Sequence, residues 1–144
     1  MKKIFFVNPP TPEKGVMVIR DLDRSGRKTR EKTIWPQTSL AYLAAVMKNE
    51  NYEVKIIDCI AEKIYWDEFE KIINTEKPDY ILFNAVSSTI TNDMKTAEIA
   101  KKNGAISIAV GSHVTALPEQ TLKDFASLDF IIMGEAEETL AELI

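Results

Sequence analysis

One cysteine and one histidine occur in the 144 residues, with only five glycines. A lone cysteine excludes an internal disulfide. No charged-then-apolar leader and no long apolar span is present either, so a reducing, cytoplasmic compartment is expected, with no membrane partner. A formal charge of −4 and a pI near 5.1 leave too little positive charge for a nucleic-acid face across the whole domain. Glycine is missing where dinucleotide folds need it. After the first apolar run, Lys3 to Val7, the chain reads Asn8-Pro9-Pro10, and the prolines remove the backbone amides that a pyrophosphate would meet. That turn also lacks the hydroxyl-rich phosphate loop of a flavodoxin and the acidic cluster of a phosphoacceptor receiver domain.

What is present is enough apolar residue for one domain, residues 1–144. The hydrophobic fraction is 45%, and a chain of this length buries roughly 68% of its unfolded surface without staples. Five short apolar runs recur: Lys3–Val7, Glu53–Asp58, Tyr80–Val86, Ile106–Val110 and Asp129–Met133. Unbroken rather than alternating hydrophobicity marks strands covered on both faces, as in a parallel sheet. Between them lie helical periods: Leu40, Leu43, Ala44 and Met47 after a Thr38 or Ser39 cap; Trp66, Phe69, Ile72 and Ile73 up to Lys77-Pro78-Asp79; Met94, Ala97 and Ala100 up to Asn103-Gly104; and Pro118 to about Phe125. A last helix begins after Gly134-Glu135-Ala136-Glu137-Glu138, with Leu140 and Leu143 expected to face inward. It runs to Ile144 without a cap, which suggests a module from a longer protein.

Thr11 to Thr38 holds no sustained period and reads as one long irregular loop. Its Arg20, Arg24, Arg27, Lys28, Arg30 and Lys32 form a local basic patch, read as a solvated face in preference to a phosphate or carboxylate clamp. Asp58 reads as a turn residue, since a ribose-binding acid would need the missing glycine turn. Cys59 reads as a quiet thiol.

Strands alternating with helices demand parallel βαβ units with right-handed crossovers. The expected architecture is α/β, a doubly wound five-stranded parallel sheet in the flavodoxin-like order 2-1-3-4-5. Its ligand crevice lies outside the carboxyl ends of the strands. Four turns meet there: Asn8-Pro9-Pro10, Ser87-Ser88-Thr89, Gly111-Ser112-His113 and Gly134-Glu135. Part of the hydroxyl and amide density from Ser87 to Asn92 is ordinary capping by Thr91 or Asn92. Ser87 to Thr89 exceeds what capping needs and points to ligand recognition. His113 is either a ligand contact or a brace that fixes its loop, and no nucleophile or base is spaced around it for catalysis.

Asn8-Pro9-Pro10, Pro36 with Leu40-Ala41-Tyr42-Leu43-Ala44-Ala45, Val54 to Asp58, Pro78-Asp79, His113-x-Thr115-x-x-Pro118-Glu119 and Asp129 to Gly134-Glu135-x-Glu137-x-Thr139-Leu140 follow one another along the chain. In that order and spacing the sequence resembles the N-terminal cobalamin-binding domain of radical S-adenosylmethionine enzymes, a group that includes methyltransferases and the anaerobic magnesium-protoporphyrin monomethyl ester cyclase. The resemblance implies a corrinoid on the carboxyl edge with its nucleotide tail drawn between the strand ends. It implies cofactor contacts from Asn8, Pro9, Pro10, Ser87, Ser88, Thr89, Gly111, Ser112, His113 and Thr115, and from Gly134, Glu135 and Glu137 beside the nucleotide. Classical cobalamin mutases and methionine synthase carry an Asp-x-His-x-x-Gly loop after the first strand; this chain has no histidine there, so base-off cobalamin without a protein histidine below the metal is expected. Val110 stands where the family carries the first of two paired glycines.

The Cys-x-x-x-Cys-x-x-Cys triplet that holds a 4Fe-4S cluster is also missing. The resemblance therefore assigns the cluster, S-adenosylmethionine and the catalysis, methyl transfer or ring formation, to a C-terminal radical domain of the parent and not to this chain. The contrasting expectation is an α/β regulatory or protein-interaction module that has lost its ligand.

Overall fold

The computed structural model describes residues 1–20, 27–29 and 34–144, the three residues 27–29 by their backbone. Five parallel strands form one sheet: β1 (Lys3–Asn8), β4 (Glu53–Asp58), β5 (Tyr80–Asn84), β6 (Ile106–Val110) and β7 (Phe130–Ile131), laid side by side as β4-β1-β5-β6-β7. Taken in chain order these are strands 2-1-3-4-5, as the sequence pattern predicts. The register runs Ile56↔Phe6↔Leu82↔Ile108↔Phe130 across the sheet.

Both faces are covered. Phe5, Val7, Ile81, Phe83 and Ala109 pack on one side against Phe69 and Ile73 of α2 (Trp66–Glu76), Met94, and Ala97 and Ala100 of α4 (Lys95–Lys102). Ile4, Phe6, Leu82 and Ile108 pack on the other against Leu40, Leu43 and Met47 of α1 (Thr38–Asn49) and Leu140 of α7 (Glu137–Leu143). The continuous apolar runs of β1 and β5 are explained by this double burial. Truncating one of the fully buried Phe, Ile, Leu or Met side chains, such as Phe83 or Leu82, to Ala costs about 2–5 kcal/mol.

Several boundaries differ from the sequence expectation. The segment read as irregular contains a small antiparallel hairpin, β2 (Met17–Ile19) with β3 (Arg27–Thr29), paired Met17↔Thr29 and Ile19↔Arg27. Strands of three residues are too short to show a period. Arg24, Arg30 and Lys32 of the basic patch, with the side chains of Arg27 and Lys28, lie outside the described residues. Helix α1 is preceded by Gln37, whose carbonyl takes the Ala41 amide, so Thr38 and Ser39 sit inside the first turn and not at the cap. Leu143 is 38% exposed while Leu140 is fully buried; α7 lies at the sheet margin and has one inward face. Only Phe130–Ile131 of the last apolar run forms strand pairs with β6, with the Ile132 amide making one further bond to Ala109 O at 3.0 Å. No helix among the described residues is long and apolar enough to cross a membrane.

Candidate functional site

The turns that follow β1, β4, β5, β6 and β7 lie along the carboxyl edge of the main sheet, and hydrogen bonds join them. Strand β1 ends at Asn8, 1% exposed, whose side-chain Nδ2 donates to Asp58 Oδ1 at 2.8 Å and whose Oδ1 accepts from Arg20 at 2.9 Å. Asp58 Oδ1 also accepts the amides of Ile60 and Ala61 at 3.1 Å, the turn role expected of it. Pro9 and Pro10 are buried; their carbonyls accept from Arg20 and Asn92, each at 2.9 Å. Two prolines without amides thus serve as pure acceptors.

After β5 the chain makes one 3₁₀ turn, Ser87–Thr89, then α3 (Ile90–Asp93). Ser87 and Ser88 are exposed, whereas Thr89 is buried and donates to Asp93 Oδ2 at 2.9 Å. Neither Thr91 nor Asn92 caps a helix by its side chain. Asn92 instead bridges Pro10 and the Trp66 indole, which donates to Asn92 Oδ1 at 3.0 Å.

The stretch after β6 was expected as a loop and is a single helical turn, α5 (Ser112–Ala116), followed by α6 (Pro118–Asp124) with Pro118 in its first turn. Gly111 makes the sharp entry, with φ +116° and ψ −176°. His113 is half-buried; its Nδ1 lies 3.0 Å from Ser87 Oγ and its amide reaches Ala85 O at 3.4 Å. Thr115 Oγ1 accepts the Gly134 amide at 3.1 Å. Exposed Ser112 and Glu135 and half-buried Glu137, which opens α7, complete this rim. A cavity of about 240 Å³ opens between Pro12 and the 87–92 turn.

Three features escaped the sequence pattern. The first is a fully buried ion pair, Arg20 Nη2 to Asp93 Oδ1 at 2.7 Å, both side chains 0% exposed. Arg20 therefore does not belong to a solvated basic face. Removing one member of such a pair costs about 3–5 kcal/mol, because the other charge is left in a dry site. The second is Asn84 at the end of β5, 4% exposed, whose Nδ2 has no hydrogen-bond partner among the described residues. The third is Gln37 Oε1 at the start of α1, a solvent-shielded atom of a half-buried side chain that has no hydrogen-bond partner among the described residues. Such atoms cost about 1–3 kcal/mol each when left unsatisfied. No sequence signal marks either residue, since both are ordinary at a strand end and a helix start.

Cys59 is buried, and burial with the adjacent Asp58 carboxylate pushes its thiol up, which fits the quiet thiol expected. Among the described residues no group of His, Cys, Asp and Glu side chains could hold a metal ion.

The family model for the B12 binding domain matches residues 29–144. The chain belongs to that family. It is 34% identical over 144 residues to an uncharacterized methyltransferase, PH0819, of Pyrococcus horikoshii, covering 99% of this chain and 28% of the relative. It is 30% identical over 113 residues to the anaerobic magnesium-protoporphyrin IX monomethyl ester cyclase of Rubrivivax gelatinosus, covering 76% of this chain and 20% of the cyclase. The fold matches that of the radical S-adenosylmethionine methyltransferase TsrM of Kitasatospora setae, solved with cobalamin and a [4Fe-4S] cluster bound. That match has a TM-score of 0.71 and 14% identity, over 99% of this chain and 26% of TsrM. This B12-binding domain spans about a fifth to just over a quarter of the length of these relatives.

Proposed function

We propose that this domain holds cobalamin along the carboxyl edge of its sheet and presents it to a radical S-adenosylmethionine domain of a longer, cytoplasmic parent. The observation that carries this reading is the joining of three strand-end turns into one polar rim, through Ser87–His113 at 3.0 Å and Thr115–Gly134 at 3.1 Å. Hydroxyls, an imidazole and backbone amides there suit a phosphate and the amide groups of a corrinoid.

Asn84 supports the fit. By strand alternation it shares a face with Tyr80 and Leu82, the face that packs on α1 and α7. Its unpartnered Nδ2 there offers a donor to a polar tail entering between the strand ends, and Gln37 Oε1 offers an acceptor on the same side. In this reading Ser87, Ser88, Gly111, Ser112, His113 and Thr115 receive the nucleotide tail and phosphate, with Gly134, Glu135 and Glu137 beside the nucleotide. Asn8, Pro9, Pro10 and Thr89 hold those turns from behind.

No histidine follows β1, and His113 is engaged with Ser87. A nucleotide tail drawn between the strand ends would take its base away from the cobalt, and this chain would offer no imidazole in its place. When bound, cobalamin supplies a cobalt centre that carries a methyl group or serves ring formation in the parent. The [4Fe-4S] cluster and S-adenosylmethionine belong to the partner domain, since the single cysteine of this chain is buried.

Hydroxocobalamin mixed with the purified protein and desalted, with and without reductant, tests the reading. A corrinoid absorption band co-eluting with the protein is expected. A corrinoid-free protein peak under both conditions rejects it in favour of a regulatory or interaction module that has lost its ligand.

A further inference from the structure

We infer that Arg20 is a positioning residue: it latches the segment after β1 onto Asp93 and so sets the shape of the turn that faces the corrinoid. The ligand in this inference rests on the function proposed above; the latch itself rests on geometry. Asp93 Oδ1 accepts from Arg20 Nη2 at 2.7 Å and from Asn92 Nδ2 at 3.3 Å. Its Oδ2 accepts from the Val86 amide at 3.2 Å, Thr89 Oγ1 at 2.9 Å and, weakly, Arg20 Nε at 3.4 Å. One carboxylate thus fixes both ends of the Ser87–Thr89 turn and draws Thr89 inward, while Ser87 and Ser88 stay exposed at the rim. The other side of the guanidinium holds Asn8 and Pro9, each at 2.9 Å. Arg20, the residue that follows β2, is therefore a single fork joining the end of that strand, the turn after β1 and the turn after β5.

The cavity of about 240 Å³ lies across this joint, with Pro12 on one wall and residues 87–92 on the other. A role in stability alone would be met as well by apolar side chains of the same volume, since desolvation cancels most of the attraction in a buried pair. What apolar side chains cannot supply is the directional hold on Val86, Thr89, Asn8 and Pro9.

The test compares the wild-type protein with the double variant Arg20→Met, Asp93→Asn, which removes both charges together. Hydroxocobalamin affinity, the urea midpoint and amide hydrogen exchange are measured on each. With an unfolding midpoint close to wild type, the double variant is expected to bind hydroxocobalamin at least tenfold more weakly. Its 86–93 segment should exchange at least tenfold faster, with β5 unchanged. Unchanged affinity, with or without faster exchange, overturns the inference. If the double variant does not fold, Arg20→Lys carries the test. One ammonium cannot span Asn8, Pro9 and both carboxylate oxygens, so the same loss is expected and wild-type affinity again overturns it. A wild-type protein that takes up no corrinoid rejects the proposed function instead. The exchange comparison then decides the latch, and an unchanged 86–93 segment overturns it.

Discussion

Gly111 lies against the backbone of Ala85 so closely that a Cβ at position 111 would stand 2.7 Å from the Ala85 carbonyl oxygen and 3.2 Å from its nitrogen. The Ala85 amide is itself bonded to Val110 O at 2.8 Å, so neither side can give way without breaking the end of the β5–β6 ladder. The glycine here makes room for a neighbouring strand end, and its φ of +116° is one that side chains rarely adopt.

Gly111→Ala is accordingly expected to destabilise the fold by about 3 kcal/mol, the sum of backbone strain and the clash. Urea unfolding of wild type and variant measures it. A loss below about 0.5 kcal/mol would show that the turn relaxes freely.

Asn84→Leu should behave in the opposite way. Removing an unpartnered buried amide recovers about 1–3 kcal/mol of desolvation cost, so the ligand-free domain should be as stable as wild type or more so. Hydroxocobalamin affinity should fall at least tenfold, because the donor proposed for the tail is gone. Equal affinity in a spectroscopic titration would remove Asn84 from the site.

His113→Ala tests the axial position. Electron paramagnetic resonance of protein-bound cob(II)alamin should show no nitrogen superhyperfine splitting in wild type, and the variant spectrum should be the same. Affinity should fall by a few-fold as the contact to Ser87 is lost. Splitting present in wild type and absent in the variant would make His113 a cobalt ligand.

Cys59 gives a pH dependence. Its thiol is pushed up from 9.0 by burial, so the folded state keeps the proton while the unfolded state releases it. The associated stability is present below pH 9 and falls as pH rises above it, approaching about 1.4 kcal/mol per pH unit. Unfolding free energies from pH 7 to 10.5 should fall more steeply for wild type than for Cys59→Ala. Parallel curves would contradict the burial of the thiol.

Local pattern carried most of the architecture. The limits of β4 and β6 coincide with their apolar runs, and the buried stripe of α1 follows from 3.6-residue spacing, although Ile56 of the edge strand β4 is 41% exposed. The hairpin and the exposed Leu143 were not legible, since one is too short for a period and the other depends on how far α7 overhangs the sheet.

The candidate site divides along the same line. The turns after β1, β5 and β6 could be assigned to one edge from strand order, which connection handedness dictates. Which members face a ligand could not, because Thr89 and Asn8 read like Ser87 and Ser88 in sequence yet are committed inward.

By itself, then, the amino-acid order determined a doubly wound parallel sheet with a polar carboxyl edge, since burial and handedness act on every residue through local spacing. Only the tertiary structure decided that Arg20 and Asp93, 73 residues apart, close into a dry ion pair behind that edge, and that Asn84 Nδ2 is left without a partner among the described residues. The physical reason is directional: hydrogen bonds and buried charges require a specific partner at a specific angle, and that partner is brought near only when the strands are assembled.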